Sequence, residues 1–118
     1  MPQPGIDQVR GIIYGQAIGD ALGLGTEFLT KSEVKRYYPN GLTRYGAIIR
    51  DRHRRRWESG AWTDDTDQML CIFDSLLQKR AVDVLDIASR LYQWAAQGGM
   101  GIGNTVRTVL SDPEFLSE

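Results

Sequence analysis

Three carboxylates and two hydroxyls lie within the six residues 62–67, which read Trp-Thr-Asp-Asp-Thr-Asp. Crowded carboxylates repel one another, so such a cluster normally persists because a cation or a set of N–H donors lies among the charges. The segment therefore predicts a metal site. A plain helix start is the alternative, because Asp and Thr side chains accept orphan N–H groups and the helix dipole favours negative charge there. Two consecutive Asp flanked by Thr exceed the needs of one cap.

A second candidate for chemistry is Glu27, a lone carboxylate among small and apolar residues. If it faces a cleft beside the Asp pair, it could take a proton from water, and neighbouring like charges would raise its proton affinity. The alternative is an ordinary surface glutamate.

The third candidate is the glycine-rich segment 99–105, Gly-Met-Gly-Ile-Gly-Asn-Thr. Exposed N–H groups in such a turn before a helix can form a concave anion site. A flexible helix connection is the alternative. The dinucleotide-binding fingerprint does not fit, because no strand precedes the segment and its spacing differs.

Composition restricts the class of protein. The chain has 118 residues, 42% of them hydrophobic and 25% charged, with a formal net charge of −1. These values are typical of one globular domain and make nucleic acid an unexpected partner. We expect no membrane span and, from an N-terminus without a secretory pattern, a cytoplasmic location. The single cysteine, Cys71, lies in an apolar run and is expected to be a reduced, buried thiol without a chemical role.

The only strong charge cluster is basic. Five arginines surround the one histidine, His53, within residues 50–56. Such a run predicts a solvated loop face, with contact to an anionic ligand or partner as the alternative. His53 has no second histidine for a zinc site and is expected to be part of that loop.

Apolar spacing and cap signals predict an all-α domain. The expected helices are 6–22, 31–38 with a capping box at its start, the Asp cluster to about 80, 84–97 capped by Asp83, and a short helix capped by Asn104 or Thr105. Residues 41–60 read as a long loop with a brief strand at 47–49. The spacing of apolar residues predicts which side chains form the inner faces of the three longest helices. These are Ile6, Val9, Ile13, Ala17, Ile18 and Ala21 in the first, Met69, Leu70, Phe73, Leu76 and Leu77 in the second, and Leu85, Ala88, Leu91, Tyr92 and Ala95 in the third.

Glycine recurs every fourth residue along the first helix, at Gly11, Gly15, Gly19 and Gly23. Each helical glycine costs roughly 1 kcal/mol relative to alanine, so the ridge predicts close approach by another backbone or a ligand.

In order and spacing, these segments resemble the N-terminal part of the ADP-ribosylglycohydrolases, which remove ADP-ribose from dinitrogenase reductase and from modified arginine or serine. The resemblance is carried by Gly-Asp-Ala-Leu-Gly at 19–23, Glu-Phe at 27–28, Trp-Thr-Asp-Asp-Thr at 62–66 and the glycine loop at 99–103.

The resemblance implies an all-helical bundle and a binuclear Mg²⁺ or Mn²⁺ site. Thr63, Asp64 and Asp65 match the first group of metal ligands, and Glu27 matches the glutamate near the scissile bond. Glu27 and Asp64 are thus the implied catalytic carboxylates. In the loop that contacts the diphosphate of ADP-ribose, the implied binding residues are Gly99, Gly101, Ile102 and Gly103. The implied reaction is hydrolysis at the ribose anomeric carbon, and Asp20 in the first signature is assigned a structural hydrogen-bonding role.

The chain departs from the family pattern in one respect. Nothing after Thr105 resembles the second ligand group, an Asp-x-Asp-Thr run, and Pro113 interrupts the nearest acidic stretch. Two hard cations would then lack about half of their protein oxygen ligands.

Two interpretations therefore stand for residues 1–118, taken as a single partial domain. One is a hydrolase, seen as a short form or a fragment, acting on an ADP-ribosylated protein or an ADP-ribose derivative and weak or inactive alone. The other is a non-catalytic remnant that binds ADP-ribose or another nucleotide, or only oligomerises. In either case uncovered helix faces predict a homo-oligomer or a complementing chain.

Overall fold

The computed structural model describes residues 2–117, and that range contains five α-helices. They are α1 Ile6–Gly23, α2 Lys31–Tyr37, α3 Asp64–Lys79, α4 Val84–Ala96 and α5 Asn104–Leu110. Three short 3₁₀ turns occur at Leu24–Thr26, Tyr45–Ala47 and Arg54–Arg56. No strand is found between residues 2 and 117, so the predicted all-α class is confirmed.

The chain divides into two compact units, the first ending at Trp62 and the second beginning at Thr63. Each unit is described by itself below. The single partial domain expected for residues 1–118 stays a prediction. None of the helices in the described range has the length and apolar character needed to cross a membrane.

Helix α1 has the predicted bounds, but most of its apolar surface is uncovered within the first unit. Of the predicted inner face only Ala21 is buried, whereas Ile6 and Ile18 are exposed. The glycine ridge is also open, because a Cβ placed at Gly11 or Gly19 would meet no described atom within 4 Å. The close approach predicted for the ridge is thus not found within the described part of this chain.

Helix α2 begins as the sequence predicts. The Thr30 hydroxyl accepts the N–H of Glu33 at 3.2 Å, and the Glu33 carboxylate accepts the N–H of Thr30 at 2.7 Å. This reciprocal pair is a capping box. The Thr30 N–H also lowers the pKa of the Glu33 carboxyl.

The brief strand predicted at 47–49 is wrong, because the Tyr45–Ala47 turn occupies its start. The side chain of Ile48 is buried, and the N–H of Ile49 donates to the Tyr38 hydroxyl at 3.1 Å. That hydroxyl in turn donates to the Gly25 carbonyl at 2.8 Å. A side chain therefore satisfies the backbone group that a neighbouring strand would otherwise pair.

The core of the first unit contains a charged side chain. Arg54 is 1% exposed and lies in a unit whose buried apolar residues are Ala21, Leu24, Tyr38, Ile48 and Trp57. Its Nε donates to the Leu24 carbonyl at 2.9 Å, its Nη2 donates to the Glu27 carbonyl, and its Nη1 lies 2.5 Å from Asp51 Oδ2. The solvated face predicted for residues 50–56 holds for Arg50, Arg52, Arg55 and Arg56, which are exposed. It does not hold for Arg54, because this guanidinium supplies donors that the carbonyls of the 24–27 turn need.

The second unit is built from α3, α4 and α5. Helix α3 begins after Thr63 and ends at Lys79, and the left-handed backbone of the C-cap residue Arg80 (φ 57°) closes it. Asp83 caps α4 by accepting the Asp86 N–H at 3.0 Å. Burial of the predicted inner faces is incomplete. Exposed members of those faces are Leu76, Leu77, Leu85 and Tyr92. The rest of the second unit therefore covers these side chains only in part.

Replacement of the buried arginine tests its structural importance. Arg54→Met removes the cation beside Asp51 and a donor from each of the Leu24 and Glu27 carbonyls, so we expect a loss of about 2–4 kcal/mol in the free energy of unfolding. Urea unfolding followed by circular dichroism measures it. Arg55→Met is the matched control, because it removes the same charge from an exposed position. Equal losses in the two variants would contradict the anchoring role of Arg54.

Candidate functional site

The first turn of α3 carries the predicted metal ligands. Thr63 is the N-cap residue and is 8% exposed, Asp64 is half-buried and Asp65 is exposed. Among the described residues, no N–H of the helix donates to the Thr63 side chain as a cap. Simple capping therefore does not account for this threonine. The two carboxylates lie at the positive end of the helix dipole.

The donor chemistry of this turn fits a hard divalent cation, but the number of donors is too small. Hydroxyl and carboxylate oxygens are the ligands that Mg²⁺ and Mn²⁺ prefer, and Mg²⁺ requires six in near-octahedral geometry. Within residues 2–117 no three His, Cys, Asp or Glu side chains are grouped so that they could hold a metal ion. Thr63, Asp64 and Asp65 can thus supply part of a coordination sphere.

The third carboxylate of the cluster has a different task. Asp67 Oδ2 accepts the indole N–H of Trp94 at 3.0 Å, which connects α3 to α4. The neighbouring Thr66 is 1% exposed. Asp67 thereby helps to hold the second unit together.

Glu27 lies directly after the Leu24–Thr26 turn in the first unit, and its side chain is 40% exposed. Its Oε2 lies 2.9 Å from His53 Nε2. The description of Glu27 as a lone carboxylate is therefore wrong. A half-exposed carboxylate with one oxygen engaged can still exchange a proton through the other.

His53 has contacts that the sequence interpretation missed. Its ring lies between Phe28 and Trp57, with edge-to-face geometry and centroid distances of 5.2 Å to each. It is not a simple member of a solvated loop. Only the proximity of a histidine to a buried arginine hinted at this, and the contact partner lies 26 residues earlier in the chain.

The glycine loop takes conformations that other residues disfavour. The backbone φ is 121° at Gly98, 47° at Gly99 and 83° at Gly101. A Cβ at Gly99 would lie 3.1 Å from the backbone Cα of Ala95. These glycines are needed by the turn itself, whatever else the loop binds.

The N-cap residue of helix α5 lies one residue before the first of the two predicted caps. Gly103 is the N-cap and its carbonyl accepts the Arg107 N–H at 2.9 Å, so the caps predicted at Asn104 or Thr105 are wrong. The Ile102 N–H donates to the Gly99 carbonyl at 2.9 Å. A ligand would therefore have to bind other N–H groups of this loop.

A cavity of about 500 Å³ adjoins the glycine loop within the second unit. This volume is in the range of small-molecule sites. Its lining is mainly apolar, with one basic side chain, and includes Tyr92, Ala95, Gly98, Ile102, Arg107 and Phe115.

Cys71 behaves as an unreactive thiol. Desolvation raises the pKa of the Cys71 thiol, and the nearby Asp67 and Asp74 carboxylates add to the rise. Its Sγ lies 3.8 Å from the Arg90 carbonyl. A protonated thiol is a poor nucleophile. Cys71 is half-buried and not fully buried as predicted, and its lack of a chemical role stays a prediction.

Comparison with known families decides the classification. The family model described as ADP-ribosylglycohydrolase matches residues 1–116. The chain belongs to this family. The resemblance predicted from four segments of the ADP-ribosylglycohydrolases is thereby confirmed.

Similar curated proteins include members from bacteria and a vertebrate. The ADP-ribosyl-[dinitrogen reductase] glycohydrolase of Rhodospirillum rubrum is 35% identical over 103 residues, which cover 86% of this chain and 33% of that protein. ADP-ribosylarginine hydrolase Tri1 of Serratia proteamaculans is 30% identical over 112 residues, covering 89% and 28%. ADP-ribosylhydrolase ARH3 of Gallus gallus is 32% identical over 111 residues, covering 86% and 30%. The chain thus spans about a third of the length of these ADP-ribosylglycohydrolases.

The carboxylate that holds Arg54 gives this ADP-ribosylglycohydrolase unit a pH-dependent stability. The Arg54 N–H donates to Asp51 at 2.9 Å and, with the guanidinium charge, lowers the pKa of the Asp51 carboxyl against the opposing effect of burial. A lowered folded-state pKa stabilises the protein above the unfolded value of about 3.9, and that stability is lost as pH falls through the folded pKa.

We therefore expect Asp51→Asn to be less stable than the wild type at pH 7 and to approach it as the pH falls through the lowered pKa of Asp51. Urea midpoints measured at several pH values test this. Asp7→Asn, which removes an exposed carboxylate from α1, is the matched control. A difference between Asp51→Asn and wild type that stays constant with pH would disprove the expectation.

Proposed function

We propose that this chain forms the first part of a metal-dependent hydrolase that cleaves the glycosidic bond at the anomeric carbon of ADP-ribose. The substrate would be an ADP-ribosylated protein or a small ADP-ribose derivative. The first turn of α3 carries the proposal, because Thr63, Asp64 and Asp65 place three hard oxygen donors at consecutive positions at the positive end of a helix dipole.

The names of the relatives support the substrate class. One is named for ADP-ribosyl-dinitrogen reductase and another for ADP-ribosylarginine. Both are about three times as long as this chain. The leaving group, whether a guanidine nitrogen or a hydroxyl oxygen, depends on parts of the cleft outside the segments compared here.

Thr63, Asp64 and Asp65 would hold Mg²⁺ or Mn²⁺, and the remaining oxygen ligands would come from another segment or chain. A divalent cation bound there supplies Lewis-acid stabilisation of developing negative charge and orients ribose hydroxyls. Asp64, which is half-buried at the helix start, is the proposed link between cation and substrate.

Glu27 would manage the proton. In the proposed hydrolysis a water oxygen bonds to the anomeric carbon, the bond to the leaving nitrogen or oxygen breaks, and the water proton passes to Glu27 and then to the leaving group. The half-exposed carboxylate is accessible enough for this exchange. Its bond to His53 leaves one oxygen available.

The glycine loop would receive the diphosphate. Gly99, Gly101, Ile102 and Gly103 are the proposed contact residues. The N–H groups of Gly101 and Gly103 are the proposed donors, because those of Gly99 and Ile102 donate to the carbonyls of Trp94 and Gly99. The adjoining cavity supports a bound nucleotide, since Arg107 in its lining offers a cation to a phosphate oxygen.

A non-catalytic binding protein is the second candidate. It is favoured by one observation, namely that residues 2–117 hold no three metal-ligating carboxylate, imidazole or thiol side chains together. The glycine loop and its cavity would then bind ADP-ribose or another nucleotide without hydrolysis. Metal binding distinguishes the two candidates.

Calorimetric titration with Mn²⁺ and ADP-ribose, separately and together, tests the metal site. We expect the wild-type chain to bind Mn²⁺ weakly and the double variant Asp64→Ala with Asp65→Ala to lose at least about tenfold in affinity, because both charged oxygen ligands are removed. The control is Asp7→Ala with Glu58→Ala, two exposed carboxylates of equal charge. Equal losses in both double variants would count against the site.

Turnover belongs to the same test. We expect at most slow release of ADP-ribose from ADP-ribosyl-arginine or ADP-ribosyl-serine by the 118-residue chain alone, because the second ligand group is not in its sequence. Robust metal-dependent release would show that the first group suffices.

We also propose that the chain associates with itself or with a complementing chain. Large apolar side chains are exposed around the end of α3 and the start of α4, among them Leu77 (55%), Val82 (74%) and Leu85 (54%). Contiguous exposed apolar surface of this kind drives association.

Sedimentation velocity at micromolar concentration tests the association. We expect the wild type to sediment as a dimer or larger species and Leu77→Glu with Leu85→Glu to shift it to the monomer. Gln93→Glu, which adds charge at an exposed polar position, should leave the distribution unchanged. A compact wild-type monomer would refute the proposal.

A further inference from the structure

The turn that presents Glu27 is held at its backbone by Arg54. The guanidinium donates to the carbonyls of Leu24 and Glu27, which are the two ends of the turn. Since Arg54 is 1% exposed and paired with Asp51, its position is fixed by the core of the first unit. The start of the Glu27 side chain is therefore fixed as well.

The side chain of Glu27 is held by His53, the residue that precedes Arg54 in the chain. His53 Nε2 lies 2.9 Å from Glu27 Oε2, and the histidine side chain is 26% exposed. The Phe28 and Trp57 rings contact the imidazole edge to face and restrict its rotation. Consecutive residues, 53 and 54, thus hold the carboxylate and the backbone of one glutamate.

Backbone strain lies next to this contact. Phe28 has φ 61°, which costs roughly 1–2 kcal/mol for a residue with a Cβ. Its side chain is 84% exposed, so burial does not stabilise the strained conformation. Strain of this kind concentrates at functional sites. Here it directs the Phe28 ring to His53.

We propose that His53 is a positioning residue for the Glu27 carboxylate. The imidazole N–H engages one carboxylate oxygen and restricts the side chain to one arrangement, so that the other oxygen exchanges protons with the substrate. The proposal rests on the proposed catalytic role of Glu27. It extends that role, because it gives the basic loop 50–56 a function within this chain that does not require an external anionic partner.

The first test uses the fact that His53 is the only histidine in the chain. In ¹⁵N-labelled protein, the Nε2–H signal of a histidine that donates to a carboxylate exchanges slowly with water and becomes observable. We expect this signal in the wild type, its loss in Glu27→Ala and its retention in Glu58→Ala, the matched control from an exposed glutamate of the same unit. Retention of the signal in Glu27→Ala would overturn the proposal.

The second test separates positioning from folding, using ADP-ribosyl-arginine at high enzyme concentration. A hydrogen bond to a charged group is worth about 1.5–3 kcal/mol, so His53→Ala should lower kcat by about 10- to 100-fold with KM changed less than about twofold. His53→Gln can still donate through its amide and should recover most of kcat. Unchanged kcat in His53→Ala, or no recovery in folded His53→Gln, would overturn the proposal.

Failure of the proposed function and failure of the positioning proposal give different results. Failure of the wild-type chain to bind Mn²⁺ counts against the proposed function, whereas a chain that binds Mn²⁺ but releases no ADP-ribose agrees with the missing second ligand group. The imidazole signal then decides the positioning alone. Its loss in Glu27→Ala supports the contact, and its retention refutes it.

Discussion

The first unit depends on a buried guanidinium. A fully desolvated arginine is stable only when its donors are satisfied, and Arg54 finds acceptors in the Leu24 and Glu27 carbonyls and in Asp51. The long segment between α2 and α3 has little regular structure, so backbone pairing alone cannot order it. The guanidinium, with the Tyr38 hydroxyl on Gly25, replaces that pairing. The position of Glu27 is thus a consequence of how the loop satisfies its polar groups.

The second unit depends on the backbone conformation of its glycine loop, as the first unit depends on Arg54. The loop between α4 and α5 turns through left-handed glycines, and Gly99 packs so closely on Ala95 that a side chain would not fit. Asp67 and Trp94 connect α3 to α4 by a hydrogen bond. Asp67 therefore has a structural contact, whereas Asp64 and Asp65 are the carboxylates proposed to bind a cation. One sequence segment therefore combines a structural carboxylate with two that are proposed to bind a cation.

The helices could be predicted from the sequence because their signals are local. The capping box at Thr30 and Glu33, the Asp83 cap and the terminating Gly98 and Gly99 act within a few residues. The burial of Arg54 and the contact of His53 could not be predicted, since their partners lie about 26–30 residues away and a basic run is usually solvated. The strand predicted at 47–49 failed for the same reason. Ile48 and Ile49 favour a strand only where another strand pairs with them, and here Tyr38 takes that place.

The division of the proposed chemistry between the two units has a further consequence. Glu27 is held by Arg54 and His53, whereas Asp64 and Asp65 lie in the first turn of α3. A substitution that removes the cation ligands should therefore leave the Glu27–His53 contact intact. An ordered glutamate side chain gives up about 1.5–2 kcal/mol of rotamer freedom, and the imidazole contact offsets that cost before any ligand binds. The proton-handling group is thus preorganised independently of the cation, as expected if the first unit evolved to present one carboxylate in one orientation.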